Sequence, residues 1–456
     1  MRLGGHRLVL LAVLVLIAVV VLARAPERTS GRHAPDGPWS SDPTVPRDVV
    51  LIVIDTLRAD HLKMYGYARD TAPHLAAFAR EAVNYRHAIA PGTWTVPSHA
   101  TMFTGLWPSV HGAERTEGDR VTARPMRAEV RTLAEVLGES GFHPAAFVGN
   151  WTFVTPSLGF GRGFREFFDG AVSHPPALAS AFAEWLPPRD DRLFVFVNFL
   201  DPHEPFEPPP PLDDLFPRRH AELGTWITRA IYADKRPVTK ELVEHFTSQY
   251  DGEIVFVDRS LAALFDALKR AGRWDDALVI VTSDHGELFG EHGLGGHVLM
   301  PFEPLVHVPL LVKYPHGRRG GEVVERRVST RALFGEILAA TGVAQPPGVD
   351  APRLDEPHDV WVEHVSEKGI RQRAGYDGTL KVFQYVEPAG ERLEVFDLSA
   401  DPGEERPLVA QGGDAARALR ERLAAFSALP RPVNSQAAPP VDPVREAQLK
   451  HLGYVQ

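Results

Sequence analysis

An α/β fold with a large, mostly parallel sheet flanked by helices is predicted by three features of the sequence. Three long apolar runs each end in an acid: "DVVLIVID" at 48–55, "RLFVFVNFLD" at 192–201 and "DALVIVTSDH" at 276–285. Helical patterns lie between them, and from about residue 341 the texture changes to short strand candidates and one helix. Runs apolar at successive positions suit central strands covered on both faces, and strands alternating with helices imply right-handed crossovers. Ligands of such sheets bind beyond the carboxyl ends of the strands, so Asp55, Asp201 and Asp284 are expected near one edge.

In chain order, Arg2 and Arg7 precede an uninterrupted apolar run, Leu8 to Ala23. It falls short of the roughly 20 residues of a full membrane span, yet no polar residue marks a solvent face. Segment 1–23 therefore reads as an uncleaved membrane anchor or, with a weak cleavage site at Ala23-Arg24-Ala25, as a signal segment. The first reading gives a membrane-anchored protein with an extracytoplasmic catalytic domain, the second a secreted or periplasmic one. Residues 24–47, rich in Pro, Ser, Gly and Arg, read as a flexible linker.

Residues 48–340 are expected to form the catalytic domain. Helices are predicted over 71–83, over 130–141 with a stop at Gly141, and over 250–272 with a stop at Gly272. A C-terminal subdomain over 341–430 is expected to hold a small antiparallel sheet, with strands at 359–365, 379–386 and 392–398, and a covering helix at 414–429. Residues 431–456 read as a tail.

The 456 residues are 44% hydrophobic, ample for a sizeable core. Acidic residues outnumber basic ones by 59 to 49, and this diffuse excess argues against nucleic acid as a partner. The absence of Cys excludes disulfides, thiolate metal sites and Cys nucleophiles.

Six segments resemble the sulfatase branch of the alkaline phosphatase superfamily, in that family's order. They are "VIDTLRADHLKMYGY" (53–67), "WTVPSHATMFTGLWPSVHG" (94–112), "DPHEPF" (201–206), "TSDHGELFGEHG" (282–293), "FEPLVHVPLLV" (302–312) and "EVFDLSADPGEERPL" (394–408). The resemblance implies an alkaline-phosphatase/sulfatase-like sandwich with an oxygen-rich metal site beside a nucleophile. Carried over residue by residue, Asp55, Asp284, His285 and Thr95 map to the metal site, Thr95 also being the nucleophile. His203 and His297 map to residues that contact substrate oxygens or protonate a leaving group. His99 replaces the family's Arg, Asn150 stands where a substitute oxyanion donor would lie, and Asp201 is a further binding candidate. Each has a structural alternative: Asp55 as a loop cap, "SDHGE" as an ordinary turn, Thr95 as a helix cap, His203 and His297 as satisfied histidines.

Departures from the family pattern carry information. Sulfatases of the usual kind oxidise Cys or Ser at the nucleophile position to formylglycine, which Thr95 cannot form. A Thr suits the double displacement at phosphorus used elsewhere in the superfamily. Asp55-Thr56 and Asp284-His285 stand in for Asp-Asp and Asp-Asn pairs, exchanging a carboxylate for an imidazole and favouring Mn²⁺ or Zn²⁺ over Ca²⁺. One divalent metal is expected, and Asp201 with His203 leaves room for a second. The expected activity is ester hydrolysis or transfer on phosphoesters, phosphodiesters or phosphonates. The alternatives are sulfate-ester hydrolysis without formylglycine, and an inactive binding protein. Small-molecule, lipid head-group or glycan esters are the expected substrates.

Overall fold

A strand apolar on both faces needs cover on both faces, and the core is built on that requirement. The structure is a computed structural model that describes residues 42–118, 121–170, 173–216, 220–387, 390–408 and 413–452. Residues 41–456 form one compact unit. In chain order the strands are β1 (Asp48–Ile54), β2 (Val83–Ile89), β3 (Phe142–Val148), β4 (Glu166–Phe168), β5 (Arg192–Phe199), β6 (Ala277–Ser283), β7 (Leu288–Phe289), β8 (Gly295–Gly296), β9 (His307–Val308), β10 (Leu310–Lys313) and β11 (Val323–Ser329). They are followed by β12 (Trp361–Val365), β13 (Arg371–Asp377), β14 (Leu380–Glu387) and β15 (Gly390–Asp397).

The main sheet runs β11-β2-β10-β6-β1-β5-β3-β4, with β9 pairing β2. β1 is parallel to β5 on one side and to β6 on the other, and β10 is antiparallel to both β6 and β2. Val49, Leu51 and Val53 share one buried cluster with Phe103, Leu333 and Ile337 from helices Thr95–Thr104 and Ala332–Thr341. Val50, Ile52 and Ile54 share another with Phe182 and Leu264 from helices Pro175–Trp185 and Lys240–Arg270. The expected architecture, a mostly parallel sheet between helices, is what these contacts build.

Register fixes the functional edge. Ile54 pairs with Phe199 on β5 and with Ser283 on β6, so Asp55, Leu200 and Asp284 leave the sheet at one level. β12 to β15 form a four-stranded antiparallel sheet, and helix Gly413–Ala428 packs on it through Ala416, Leu419, Leu423 and Phe426.

Several boundaries differ from the sequence reading. The long helix starts at Lys240 rather than 250, because Thr239 caps it by accepting the Leu242 N–H at 3.2 Å. The 71–83 helix is shorter, Pro73–Phe78, since Val83 already enters β2. β13 was not expected, its "RQRAGYD" hiding any alternation, and neither was the helix Pro443–His451 in the tail. The membrane-anchored location is corrected: among the described residues no helix is long and apolar enough to cross a membrane. Leu8–Ala23, on which that expectation rested, lies outside the described residues.

At the opposite end of β1, Arg273 and Asp48 form a fully buried ion pair, with Nη1 3.0 and 2.9 Å from the two carboxylate oxygens. Asp48 also accepts the Leu193 N–H at 2.9 Å, tying β1 to β5. Arg273→Met strands that carboxylate and is expected to cost about 3–5 kcal/mol of stability. Urea unfolding measures this, and a loss below about 1 kcal/mol would show that the pair contributes little.

Candidate active site

Asp55 follows β1 directly and is fully buried, its N–H bonded to Phe199 O at 2.9 Å. Thr56 then turns the chain at φ 55°, a left-handed value costly for a β-branched residue. The turn is held from both sides of the sheet edge. Thr56 donates its N–H to Asp284 Oδ1 (3.3 Å) and accepts the Tyr250 hydroxyl at its carbonyl (2.7 Å), while Leu57 N–H reaches Ser283 Oγ (2.9 Å).

Asp284 and His285 follow β6 and are equally buried. Asp284 Oδ1 also accepts the His285 N–H at 3.0 Å. His285 Nδ1 lies 2.9 Å from Gly286 O. A carbonyl can only accept, so Nδ1 carries the hydrogen and Nε2 presents a lone pair. Gly286 is required here: a Cβ at this position would lie 2.0 Å from Pro304 O. Asp55 Oδ2 is held by Asn150 Nδ2 at 2.7 Å.

Each of the three residues thus has one polar atom anchored and one free. The free atoms, Asp55 Oδ1, Asp284 Oδ2 and His285 Nε2, are buried without a hydrogen bond. His285 Nε2 stands 3.4 Å from Asp55 Oδ1 and 3.5 Å from Asp284 Oδ2. Buried lone pairs facing one another are unfavourable unless a cation satisfies them together. The donor set fits a divalent metal, and among the described residues it is the one His/Asp/Glu group whose ligand atoms lie within 4.8 Å of one another.

Electrostatics agree with that fit. Desolvation, opposed by the Asn150 hydrogen bond and reinforced by Glu287, pushes the Asp55 carboxyl up to about 8. Burial, then the charge of Asp55, raises Asp284 well above the carboxylate range. Burial, then His297, holds His285 well below the ordinary imidazole value. Without a cation the site resists carrying its own negative charges.

Thr95 opens the helix Thr95–Thr104, whose residues are all buried, and Trp94 is its N-cap with no side-chain cap bond. The Thr95 hydroxyl therefore does not cap the helix. Its neighbour is Asn150 Nδ2 at 3.5 Å, the same amide that holds Asp55, so Thr95 and Asp55 share one donor. Asn150, proposed from sequence as an oxyanion donor, donates to Asp55 and lies beside the Thr95 hydroxyl. Its own backbone N–H is fixed by Asn198 Oδ1 at 2.9 Å. His99 lies one turn into the helix with Nδ1 2.9 Å from Thr95 O and 3.4 Å from Asp284 Oδ2. Burial among Phe160 and Phe196 pushes its imidazole down to about 4.

His297 and His203 form the next layer. The His297 ring centroid is 4.7 Å from that of His285 and 4.8 Å from that of His203. Glu287, fully buried, faces His297 Nδ1 with both oxygens at 3.1 and 3.3 Å, and burial pushes His297 down to about 3. His203 Nδ1 contacts Glu204 O at 2.5 Å. Asp201 stands apart from the cluster; desolvation raises its carboxyl to about 6, and its charge acts on Glu253 of the long helix. No second metal-type group involving Asp201 and His203 is present among the described residues.

Sequence reasoning missed Glu287 and Glu204. Glu287 lay within the quoted "SDHGE", but nothing in one chain marks which way a residue two past a ligand points. Glu204 accepts from Thr228 Oγ1 at 2.7 Å, a contact between residues 24 apart that has no local signature. The assembled groups can hold one divalent cation in a mixed oxygen and nitrogen shell, with the imidazoles of His99, His297 and His203 around it.

The Sulfatase family profile matches residues 47–343. An ulvan-active sulfatase of Formosa agariphila is 23% identical over 69% of this chain, which spans 65% of that enzyme's length. A multifunctional alkaline phosphatase superfamily protein of Trinickia caryophylli is 24% identical, over 84% of this chain and 94% of that protein. The solved phosphonate monoester hydrolase of Agrobacterium radiobacter has the same fold, with a TM-score of 0.68 at 24% identity over 84% of this chain and 95% of that one.

Proposed function

The chain belongs to the sulfatase family of the alkaline phosphatase superfamily and is a sulfuric or phosphoric ester hydrolase; within that class we propose a metal-dependent enzyme whose nucleophile is Thr95 and whose substrates are phosphodiesters, phosphomonoesters or phosphonates. The observation that carries this reading is the set of three anchored ligands, Asp55, Asp284 and His285, whose ligand atoms lie within 4.8 Å of one another, together with the Asn150 amide that reaches both Asp55 and the Thr95 hydroxyl. A relative named as a multifunctional alkaline phosphatase superfamily protein makes phosphorus chemistry a reasonable premise on this scaffold.

Asp55, Asp284 and His285 would hold the metal, with Thr95 as a fourth ligand. The mixed shell favours Mn²⁺ or Zn²⁺ over Ca²⁺. Once bound, such a cation lowers the pKa of a hydroxyl and stabilises charge developing on the phosphoryl oxygens. The chain's own residues do the rest. Thr95 Oγ gives up its proton to solvent and attacks phosphorus while the bond to the leaving oxygen breaks, and that oxygen takes the electron pair. The N-terminus of helix Thr95–Thr104 favours the anion being attacked. His297 or His203, kept neutral by burial, contacts the non-bridging oxygens while the leaving oxygen takes its proton from solvent, and Asn150 keeps Asp55 oriented. A water then attacks phosphorus, and Thr95 Oγ departs to regenerate the enzyme.

The alternative, sulfate-ester hydrolysis, is favoured by the names of relatives such as the arylsulfatase of Clostridium perfringens and the choline-sulfatase of Rhizobium meliloti. It requires a second attack at sulfur to release the sulfated Thr95. The deciding experiment assays p-nitrophenyl sulfate, p-nitrophenyl phosphate, a phosphodiester and a phenylphosphonate ester with Mn²⁺, Zn²⁺ and Ca²⁺. A phosphorus substrate is expected to lead, with Mn²⁺ or Zn²⁺ ahead of Ca²⁺. Sulfate turnover above every phosphorus substrate sinks the proposal, and inactivity throughout with no metal retained favours a binding protein.

A further inference from the structure

The short helix Glu303–Val306 touches both halves of the catalytic centre. On one side it grips the metal-ligand turn, because Gly286 N–H donates to Leu305 O at 2.8 Å and Pro304 O fills the space a Cβ at 286 would need. Gly286 O in turn accepts from His285 Nδ1 and so sets that ring. On the other side Val306 O accepts the Ala90 N–H at 2.8 Å, at the start of the loop that leads to Thr95.

The helix is itself held by the C-terminal sheet through a buried polar cluster. Tyr376 of β13 donates its hydroxyl to Glu303 Oε1 at 2.6 Å. Lys381 of β14, fully buried, donates to the same oxygen at 3.1 Å and to Pro301 O at 2.6 Å, and pairs with Glu404 Oε1 at 2.5 Å. Glu404 Oε2 accepts the Glu303 N–H at 2.7 Å, closing the cluster on the helix's first turn. The same sheet also holds the nucleophile loop directly. Glu363 N–H of β12 donates to Pro91 O at 3.0 Å, and His364 Nδ1 lies 3.0 Å from Thr93 Oγ1.

We propose that Lys381, Glu303, Glu404 and Tyr376 are positioning residues: the C-terminal sheet, acting through helix Glu303–Val306, fixes the register between the 284–286 metal-ligand turn and the 90–95 nucleophile loop. The proposal rests on the reading of Asp55, Asp284, His285 and Thr95 given above. None of the four touches the ligand set; they act through the backbone of residues 286 and 90. A buried ionic cluster is weak evidence for stability as such, since its desolvation offsets much of its attraction. Its hydrogen-bonded geometry is better suited to fixing one arrangement, and outer contacts of this kind tune metal affinity.

The test compares full-length wild type with Lys381→Met, Glu404→Gln and Tyr376→Phe. Mn²⁺ affinity is measured by calorimetry without substrate, kcat is measured at saturating Mn²⁺, and the unfolding midpoint is recorded for each. The expected result is an Mn²⁺ Kd weaker by about tenfold or more and a comparable fall in kcat, in variants still folded at the assay temperature. A lower midpoint with Kd and kcat both within about twofold of wild type would overturn the proposal, because a purely stabilising cluster does just that. Should Lys381→Met not fold, Tyr376→Phe keeps the Lys381–Glu404 pair and is judged by the same two readings. A wild-type chain that binds no Mn²⁺ refutes the metal reading instead, and kcat in the variants then decides the positioning role alone.

Discussion

Thr95→Ala is expected to lower kcat/KM by roughly 10⁴- to 10⁶-fold, the range seen when a nucleophile or its activating partner is removed. Thr95→Ser is expected to retain activity, since it keeps the oxygen and loses only a methyl group. Asp55, Asp284 and His285 stay anchored by Asn150, Thr56 and Gly286 in both variants, so Thr95→Ala removes one of four ligands and Mn²⁺ binding is expected to weaken without being lost. Mn²⁺ calorimetry therefore separates loss of the nucleophile from loss of the site. Mass spectrometry of acid-quenched wild type with a phosphodiester should find the phosphorus adduct on Thr95. Undiminished turnover in Thr95→Ala would remove Thr95 from the mechanism whichever substrate is preferred.

Asp284→Asn produces two effects of opposite sign. Mn²⁺ affinity is expected to fall by about 100-fold or more, because a ligand oxygen loses its charge where outer contacts alone are worth 10- to 100-fold. In the metal-free chain stability is expected to rise, because burial and the neighbouring Asp55 disfavour an ionised carboxyl and the amide carries no charge. The same logic gives a pH dependence. The Asp55 carboxyl sits at about 8 in the folded chain against 3.8 as its ordinary value. Between those values the folded state binds more protons at this group than the unfolded one, so the Asp55 contribution to metal-free stability is fully present below about pH 4 and is lost as pH rises towards about 8. Excess Mn²⁺ should flatten or reverse that slope, since the cation displaces the proton. Urea midpoints in EDTA at about pH 5 and about pH 8 measure this contribution. It is disproved if Asp55→Asn leaves the difference between the two midpoints unchanged.

How legible the site was depends on how each residue is placed. Asp55, Asp284 and His285 could be located because they terminate fully apolar parallel strands, and strand ends of one direction lie at one sheet edge. Asp201 follows the same rule along the chain, yet it is not a member of the ligand group, and its charge acts on Glu253 of the long helix. Asn150 was noticed for a different role, because only the folded register of β3 and β5 shows its amide reaching Asp55. β13 was missed because Arg371 and Arg373 sit half-buried in ion pairs with Glu114 and Glu363, partners no local pattern reveals, and the start of the long helix was missed because exposed Lys240 and Glu241 dilute its periodicity.

By itself the sequence determined the fold class, the family and the chemical limits. Apolar runs of period one require a covered parallel sheet, and a chain with no Cys and Thr at position 95 has no route to formylglycine. Tertiary structure alone decided which atoms are committed and which are free. That one oxygen of Asp55 and one of Asp284 lack partners while the other is pinned, and that Lys381 holds Glu303, rest on contacts between segments 78 to 228 residues apart, and that Glu287 stands behind His297 depends on a loop folding back over 10 residues. Their physical cause is the convergence of separate strand ends and loops at one buried edge, where burial makes every unpaired polar atom costly and so gives it meaning.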